Sequence, residues 1–382
     1  MRIGLLGTSW PYRGGLSAFN ERLARQFMAE GHEVSIFTFT MQYPDFLFPG
    51  KTQYSDSQKP DDLSIYRVMN SIEPISWHRA GRLICDLKID VLIIKFWTPL
   101  MAPCLGSIAR LARRHGVKVV SILDNVIPHE RHFYDKLLVR YFIRSVDGFV
   151  AMSDSVRQDC LAFLPAACHE RVLLSPHPLY DNFGKPVNRD EACRVLNLPA
   201  DKTILLFFGF IRDYKGLDIL LKAYARSIEK HPDLRLVVAG EFYNNAQQYK
   251  DIEEQLKLTG KVIWRSDFIP DDTVRMYFSA ADLVVQPYKT ATQSGVTQIA
   301  YHFEKPMLVT DVGGLAEIVP DGKVGYVCKV DEGDIAKALN NFAEMSPEKR
   351  KTVFAENIKN EKQKYAWSGM TAACLSSVND KW

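Results

Sequence analysis

Two series of short, continuous apolar runs, each followed by a segment with apolar residues at helical spacing, constrain the fold of this 382-residue chain most strongly. The run Ile204–Phe208 is an example. Continuous runs are typical of parallel strands that are buried on both faces, whereas strands with one solvated face alternate apolar and polar residues. In the N-terminal half, the strand Ile3–Leu6 is followed by an amphipathic helix that Gly31 ends, and then by the strand Val34–Phe39. Strand, helix and parallel strand form a crossover unit, so the pattern predicts an α/β fold.

The alternating pattern breaks at the proline-rich segment Pro176–Pro199 and then resumes, which divides the chain into two parts. We predict two doubly wound Rossmann-like domains of similar size that face a central cleft. Their expected bounds are 1–180 for the N-terminal domain, 181–200 for a linker and 201–365 for the C-terminal domain. The polar segment Tyr43–Pro74 is predicted as a long mobile excursion from the first domain. Ligands of such sheets bind beyond the carboxyl ends of the strands.

Composition and charge exclude several classes of protein. Apolar residues make up 47% and charged residues 24%, which excludes disordered and collagen-like chains. The net charge of +3 excludes a dedicated nucleic-acid binder. The seven cysteines are scattered, as expected in a reducing compartment. The N-terminal sequence has no signal-peptide pattern, and the longest apolar run, Ile204–Ile211, is far shorter than the roughly 20 residues that span a bilayer. We therefore predict a cytoplasmic protein.

Three turns between a strand and a helix in the C-terminal half contain candidate ligand-binding residues. The first turns through Gly209 and contains Arg212 and Lys215, two cations that could neutralise a diphosphate. The second provides small residues and free amides at the start of a helix, and such a terminus favours an anion. Its residues are Gln293, Ser294, Gly295, Val296, Thr297 and Gln298. The third contains Glu317, whose carboxylate could accept hydrogen bonds from hydroxyl groups. Each turn also fits an ordinary solvated loop or a capped helix.

Two segments of the N-terminal half add candidates. Gly14 and Gly15 lie between a strand and a helix and would allow a ligand to approach the backbone. A second strand leads into a polar segment with Asp124, Asn125 and His129. His129 could hold a hydroxyl group or a developing charge, and Asp124 and Asn125 could orient an acceptor. The same segment also fits an exposed turn.

A basic and apolar segment of the N-terminal half suggests a peripheral membrane contact. The residues of Lys136–Arg144 mix both types at helical spacing, and Arg110, Arg113, Arg114 and Lys118 add a further basic group. Such residues could rest on an anionic membrane. A helix that faces the core and keeps its charges solvated fits the pattern as well.

The ordered set of segments Gly209, Lys215–Ala223, Leu236–Gly240 and Lys305–Val319 resembles a known family. Residues 203–330 resemble the nucleotide-sugar half of the GT-B glycosyltransferases, specifically the retaining glycosyltransferase family 4 group, also called glycosyl transferases group 1. The N-terminal half is similar to that family more loosely, through Gly14-Gly15 and Gly31–Val34.

The resemblance implies a function. A retaining hexosyltransferase of this kind moves a sugar from a nucleoside diphosphate sugar to a hydroxyl acceptor, either a glycan or a lipid-linked saccharide, in polysaccharide biosynthesis. The nucleotide sugar would be a co-substrate rather than a cofactor. Separately from the resemblance, the sequence shows no metal cluster, and Arg212, Lys215 and the helix-start amides could do a cation's work, so we expect no metal. The resemblance also implies that a final helix, around Trp367–Val378 within 366–382, returns to the first domain.

The resemblance also assigns roles to residues. Lys215 would neutralise the donor diphosphate with Arg212 as a helper, although the family's usual arginine directly follows the strand glycine, where this chain has Phe210. His129 would lie near the transferred sugar. The donor would be bound by Gly14, Gly15, Gly209, the residues 293–298 and Glu317.

One departure from the family keeps a second interpretation open. The family usually carries two glutamates eight positions apart before the Lys-Pro pair, but this chain has no carboxylate between Asp282 and Glu304. Counting back from Lys305, the two positions fall on Ile299 or Gln298 and on Ala291 or Thr290, so sugar contacts would come from Gln293, Thr297, Gln298 or Glu317. The alternative is a catalytically weak or inactive relative that binds a nucleotide sugar. A nicotinamide-dependent oxidoreductase is disfavoured, because the first glycines do not have the G-x-G-x-x-G spacing.

Overall fold

The computed structural model describes residues 1–44, 52–55, 58–127, 132–243, 246–291 and 294–378. The chain divides into a first unit, Met1–Pro178 with Ala366–Trp382, and a second unit, Leu179–Tyr365. Each unit is an α/β domain built on one parallel sheet.

In the described part of the first unit, seven parallel strands form a sheet of order β3-β2-β1-β4-β5-β6-β7. The strands are β1 (Arg2–Leu6), β2 (Glu33–Met41), β3 (Ser64–Asn70), β4 (Val91–Phe96), β5 (Lys118–Leu123), β6 (Gly148–Ala151) and β7 (Val172–Leu174). The helices between them are α1 (Gly15–Ala29), α2 (Pro74–Asp86), α3 (Ala102–Arg114), α4 (Asp135–Ile143) and α5 (Asp154–Leu161). The central strands β4 and β5 are almost wholly buried, as their continuous apolar sequences predict.

Strand β3 corrects a prediction. It lies in the segment Tyr43–Pro74, which the sequence analysis interpreted as a mobile excursion, and it forms the edge of the sheet beside β2. Its burial alternates along the chain, with Ile65 and Met69 buried and Arg67 exposed. An edge strand of this kind has no continuous apolar run, so it was missed.

In the described part of the second unit, six parallel strands form a sheet of order β10-β9-β8-β11-β12-β13. The strands are β8 (Thr203–Phe208), β9 (Leu234–Ala239), β10 (Val262–Arg265), β11 (Leu283–Gln286), β12 (Met307–Thr310) and β13 (Gly325–Cys328). The helices are α6 (Arg189–Leu196), α7 (Leu217–Ile228), α8 (Gln247–Gln255), α9 (Asp271–Ala280), α10 (Gly295–His302), α11 (Leu315–Ile318), α12 (Glu332–Ala343), α13 (Pro347–Arg350) and α14 (Glu356–Glu361).

Helix α6 corrects a second prediction, because it lies in the segment 181–200 that was interpreted as a linker. The side chain of Asn188 caps the helix by accepting hydrogen bonds from the amides of Asp190 and Glu191, and Asn197 ends it in a left-handed conformation. The capping residue Asn188 could be recognised in the sequence, but the prolines around it led to the prediction of a linker.

The final helix, α15 (Trp367–Ser376), belongs to the first unit. Trp367 packs its ring against Phe19 of α1, with centroids 5.0 Å apart, and both Met370 and Cys374 are fully buried. Gly148 at the start of β6 allows this packing, because a Cβ atom there would lie 2.2 Å from the carbonyl oxygen of Ser377. None of the helices in the described ranges combines the length and apolarity needed to cross a membrane.

Both sheets have a switch point, where successive connections leave a central strand in opposite directions. Strand β1 lies between β2 and β4, and strand β8 lies between β9 and β11. Open α/β sheets bind ligands beyond the carboxyl ends of the strands at such points. The topology therefore predicts that ligands bind at the turns that follow β1, β4, β8 and β11.

Candidate functional site

The turn that follows β8 is held tightly against the segment that follows β11. Gly209 leaves the strand with a φ of 92°, a conformation that glycine adopts easily. A single 3₁₀ turn, Asp213–Lys215, ends at Gly216, which has a φ of 68°. A Cβ atom at Gly216 would lie 1.9 Å from the carbonyl oxygen of Pro287, so only glycine allows the two backbones to come this close.

Lys215 is a buried cation at the switch point of the second sheet. Its exposed fraction is 8%, and its Nζ lies 3.0 Å from the position that a Cβ of Gly209 would occupy. Burial and the nearby charge of Arg212 lower the pKa of Lys215 to about 7. No carboxylate of the described residues raises the pKa of Lys215 back towards its ordinary value. A buried cation without a counter-charge is unfavourable in the free protein, and an anion placed beside it would relieve that cost.

Arg212 lies next to Lys215 and is held by an aromatic ring. Its guanidinium carbon is 3.8 Å from the ring centroid of Tyr243, a cation–π distance. Phe210, at the position of the family's usual arginine, contacts the same Tyr243 ring edge to face. The chain therefore has its second cation, Arg212, two positions after Phe210, where it packs on the ring of Tyr243.

The start of α10 lies beside the same turn. The Cγ2 of Val296 is 3.8 Å from the position that a Cβ of Gly209 would occupy, so Val296 and Lys215 both lie beside Gly209. Ser294 precedes the helix, and its hydroxyl lies 3.3 Å from that of Tyr288 rather than capping the first amides. At Gly295, a Cβ atom would lie 2.6 Å from the ring of Tyr180.

The remaining candidates of the second unit have different surroundings. Thr297 is buried and donates a hydrogen bond of 3.1 Å to the side chain of Gln286. Gln298 is fully buried, and neither polar atom of its side chain has a hydrogen-bond partner in the described structure. Glu317 is exposed in α11, the helix that follows β12. Gln293 lies outside the described residues.

In the first unit, Gly14 and Gly15 lie at the switch-point turn after β1. Gly14 precedes α1 with a φ of 101°, and none of the described residues lies within 4 Å of a Cβ there. The carboxylate of Glu21 fixes this turn by accepting hydrogen bonds from both Ser9 and Ser17. Hydrogen bonds to Glu21 therefore anchor the turn, and both glycines are exposed.

Asp124 is not a free carboxylate, because it pairs with a lysine that the sequence analysis missed. It follows β5 and accepts a 2.8 Å hydrogen bond from Nζ of Lys95, which is 3% exposed in β4. Burial lowers the pKa of Lys95, and Asp124 opposes that shift. A lysine inside an otherwise apolar strand was the available signal. Asn125, the next residue, is partly exposed, and His129 lies outside the described residues.

A buried histidine lies near the same pair. Nδ1 of His177 donates a 2.7 Å hydrogen bond to the carbonyl oxygen of Pro178, and the ring meets Phe19 edge to face. Burial, together with the charge of Lys95, lowers the pKa of His177 to about 3, so the ring is neutral at physiological pH. The cation of Lys95 is thus enclosed by Asp124, an aromatic ring and a neutral imidazole.

Comparisons with known proteins identify the class that this fold and this site define. Residues 13–174 match the model of Glycosyltransferase Family 4, and residues 188–361 match the model of Glycosyl transferases group 1. The chain is a GT-B glycosyltransferase, and it belongs to the family 4 and group 1 glycosyltransferases.

Relatives and solved structures agree with this assignment. The chain is 27% identical to D-inositol 3-phosphate glycosyltransferase 1 of Catenulispora acidiphila, over 82% of this chain and 78% of that protein. It is 25% identical to D-inositol 3-phosphate glycosyltransferase of Thermobifida fusca, over 96% of this chain and 88% of the relative. The structure of HepE from Anabaena in complex with UDP superposes with a TM-score of 0.74 at 16% identity, over 99% of this chain and 100% of HepE. These likenesses describe what the chain is similar to.

Proposed function

We propose that this protein transfers a hexosyl group from a nucleoside diphosphate sugar to a hydroxyl acceptor, with retention at the anomeric carbon. The observation that carries the proposal is the buried Lys215 beside Arg212 at the switch point of the second sheet, where no carboxylate of the described residues offsets the charge of Lys215. A diphosphate supplies the missing negative charge. A structural neighbour that was solved with UDP supports a nucleotide as the carrier of that group.

The proposed chemistry separates charge. The bond between the anomeric carbon and the diphosphate oxygen breaks, and its electron pair remains on the diphosphate while the sugar becomes cation-like. The acceptor oxygen then bonds to the anomeric carbon, and its proton passes to an oxygen of the departing diphosphate. Fixed donors that are aimed at the departing phosphate stabilise this transition state, and Lys215, Arg212 and the first amides of α10 are the proposed donors.

The acceptor is a glycan or a lipid-linked saccharide in this proposal, and it binds on the first unit. Lys95 fixes one oxygen of Asp124, which leaves the other oxygen to accept a hydrogen bond from the acceptor hydroxyl. Asn125 and His129 are the proposed companions of Asp124.

The test is the turnover of Lys215→Ala. Loss of one such donor typically lowers the rate by about 10²–10³. Lys222→Ala, which removes an exposed lysine of α7, is the matched control and should keep full activity. NMR of the product reports whether the anomeric configuration is retained. A Lys215→Ala variant with near-normal turnover would contradict the role of this residue, and an inverted product would contradict retention.

We also propose that the reaction needs no metal ion. Two cations and a helix terminus can neutralise the diphosphate by themselves, and the described residues contain no group of three His, Cys, Asp or Glu side chains that could hold a metal. Turnover should therefore persist after dialysis against a chelator. Activity that disappears with the chelator and returns with a divalent metal would overturn this part.

One observation favours the alternative, a relative that binds a nucleotide sugar without efficient transfer. Two positions that could carry the family's glutamates are Ala291 and Ile299, and both are buried apolar side chains. Donor binding in a thermal-shift screen of nucleotide sugars, together with no detectable hydrolysis or transfer, would support this alternative.

A further inference from the structure

Helices α3 and α4 of the first unit form one continuous surface. The guanidinium of Arg110 donates to the carbonyl oxygen of Tyr141 at 3.2 Å, and that of Arg113 donates to the carbonyl oxygen of Arg144 at 3.2 Å. The guanidinium carbon of Arg110 also lies 3.8 Å from the ring centroid of Tyr141. The C-terminal half of α3 is therefore fixed beside the outer face of α4.

This surface carries a stripe of exposed cations. Lys136, Arg140 and Arg144 are all exposed and are spaced four residues apart, so they lie above one another on α4. Arg114 adds a fourth exposed cation at the end of α3. We call these four residues the basic stripe.

The acidic side chains of the same region do not neutralise the stripe. Asp135 is buried at the start of α4, and Asp147 is paired with Arg113 at 2.7 Å. Within the described residues, Arg114 and the three cations of α4 form no ion pair. The stripe therefore presents an uncompensated positive charge to the solvent.

Two large apolar side chains accompany the stripe. Phe133 is 97% exposed and Leu137 is 71% exposed. They are four residues apart, and Leu137 adjoins Lys136 on α4. The inner face of α4, with Val139 and Phe142, packs into the core, so the helix has both a structural face and an unpartnered outer face. The exposed cations Lys136 and Arg140 lie on that outer face.

An open cavity of about 380 Å³ lies at the α3 end of the surface. Four basic side chains, Arg110, Arg113, Arg114 and Lys118, line it together with Asp147. Arginine forks suit the oxygens of a phosphate group. The cavity is large enough for a phosphodiester.

We propose that this surface docks the protein on an anionic lipid bilayer. The basic stripe pairs with lipid phosphates, one head group enters the cavity, and Phe133 and Leu137 enter the boundary between head groups and acyl chains. Cations with long aliphatic stems beside exposed apolar side chains are the combination that such an interface favours. A nucleic acid would use the cations but gives the exposed Leu137 no partner. The proposal goes beyond sugar transfer and does not depend on it.

The test measures binding of the full chain to sedimented vesicles without any substrate. Vesicles of phosphatidylcholine with phosphatidylglycerol should bind the protein, and vesicles of phosphatidylcholine alone should not. The triple variant K136Q/R140Q/R144Q should lose at least about tenfold in partition coefficient. The matched control K230Q/K337Q/K349Q, which removes three exposed lysines of the second unit, should bind like the wild type.

Two further variants separate the apolar contribution from the electrostatic one. F133S/L137S should weaken binding at low salt and abolish the residual binding at about 0.5 M NaCl, where charge attraction is screened. Melting temperatures of all variants report that they fold. Equal binding to neutral vesicles, unchanged binding of the triple variant, or binding of RNA but not of anionic vesicles would overturn the proposal. Stabilisation by soluble glycerol phosphate without vesicle binding would overturn it as well.

Discussion

Lys215 has a position that costs stability. Its ammonium group is buried beside another cation, and its pKa falls from 10.5 to about 7. A shift of one pKa unit corresponds to about 1.4 kcal/mol. The free-energy cost of burying the charged form of Lys215 is therefore on the order of a few kcal/mol. Buried charges without a partner are retained where a ligand supplies the partner, and this cost is consistent with the proposed diphosphate site.

This cost predicts how Lys215→Met changes stability with pH. Between pH 7 and 10.5 the unfolded chain binds a proton at this lysine that the folded chain does not, so wild-type stability rises with pH across this window. The methionine variant lacks that dependence. It should therefore be more stable than the wild type by a few kcal/mol at about pH 6, and this advantage should shrink towards about pH 10.

The measurement is urea unfolding of the second unit in both proteins across that pH range. Lys222→Met, on the exposed face of α7, is the control and should show no pH-dependent difference from the wild type. A stability difference for Lys215→Met that stays constant with pH would count against the buried charge as its source.

At the scale of elements, the position of Lys215 depends on contacts between two loops. The ammonium of Lys289, three residues after β11, lies 2.9 Å from Asp213 and 3.1 Å from Asp218, one on each side of the turn. The backbone amide of Lys289 also donates to the carbonyl oxygen of Tyr214 at 2.6 Å. We therefore expect Lys289 to be a positioning residue that acts through Lys215.

We predict that Lys289→Met weakens donor binding without unfolding the protein. The ion pairs are partly exposed and contribute at most about 1 kcal/mol to stability. A loosened turn displaces the Lys215 ammonium, so the affinity for a nucleoside diphosphate should fall by roughly tenfold. Calorimetry measures the affinity, and Lys289→Arg should restore most of it because the charge remains. Wild-type affinity in the methionine variant would show that the turn holds its position without the ion pairs of Lys289.

The sequence predicted the elements whose signal is local. The strands Ile3–Leu6 and Ile204–Phe208 were predicted to within one residue of β1 and β8, because strands buried on both faces show continuous apolar runs. The edge strands β3 and β13 were missed, because half-exposed strands lack such runs.

The same distinction applies to the candidate site. The turns with Gly209, Lys215 and Ser294 could be found from the sequence, since strand, turn and helix start are adjacent along the chain. The ion pairs of Lys95 and Lys289 could not be found in this way, because the partners Asp124 and Asp213 are remote in sequence and are brought near only by the order of the strands.

At the scale of the whole molecule, the two units differ in how the chain builds them. The second unit is one continuous segment, 179–365, whereas the first unit needs residues from both ends of the chain. Helix α15 closes the first unit by covering Phe19 of α1, and Trp367, Met370 and Cys374 are buried there. Helix α15, near the C-terminal end of the described chain, is therefore part of the hydrophobic core of the first unit.

This difference predicts how fragments of the chain fold. The fragment 179–365 should unfold cooperatively by itself, because its sheet and core are complete. The fragment 1–178 should not, because without α15 it exposes the apolar surface around Phe19. Burial of Trp367 and Met370 alone contributes roughly 1.5–3 kcal/mol each, a large part of the 5–15 kcal/mol that stabilises a typical domain. Joining 1–178 to 366–382 through a flexible linker should restore cooperative unfolding. Thermal unfolding followed by circular dichroism distinguishes these cases, and a fragment 1–178 that melts as sharply and at the same temperature as the joined fragment would refute the structural role of α15.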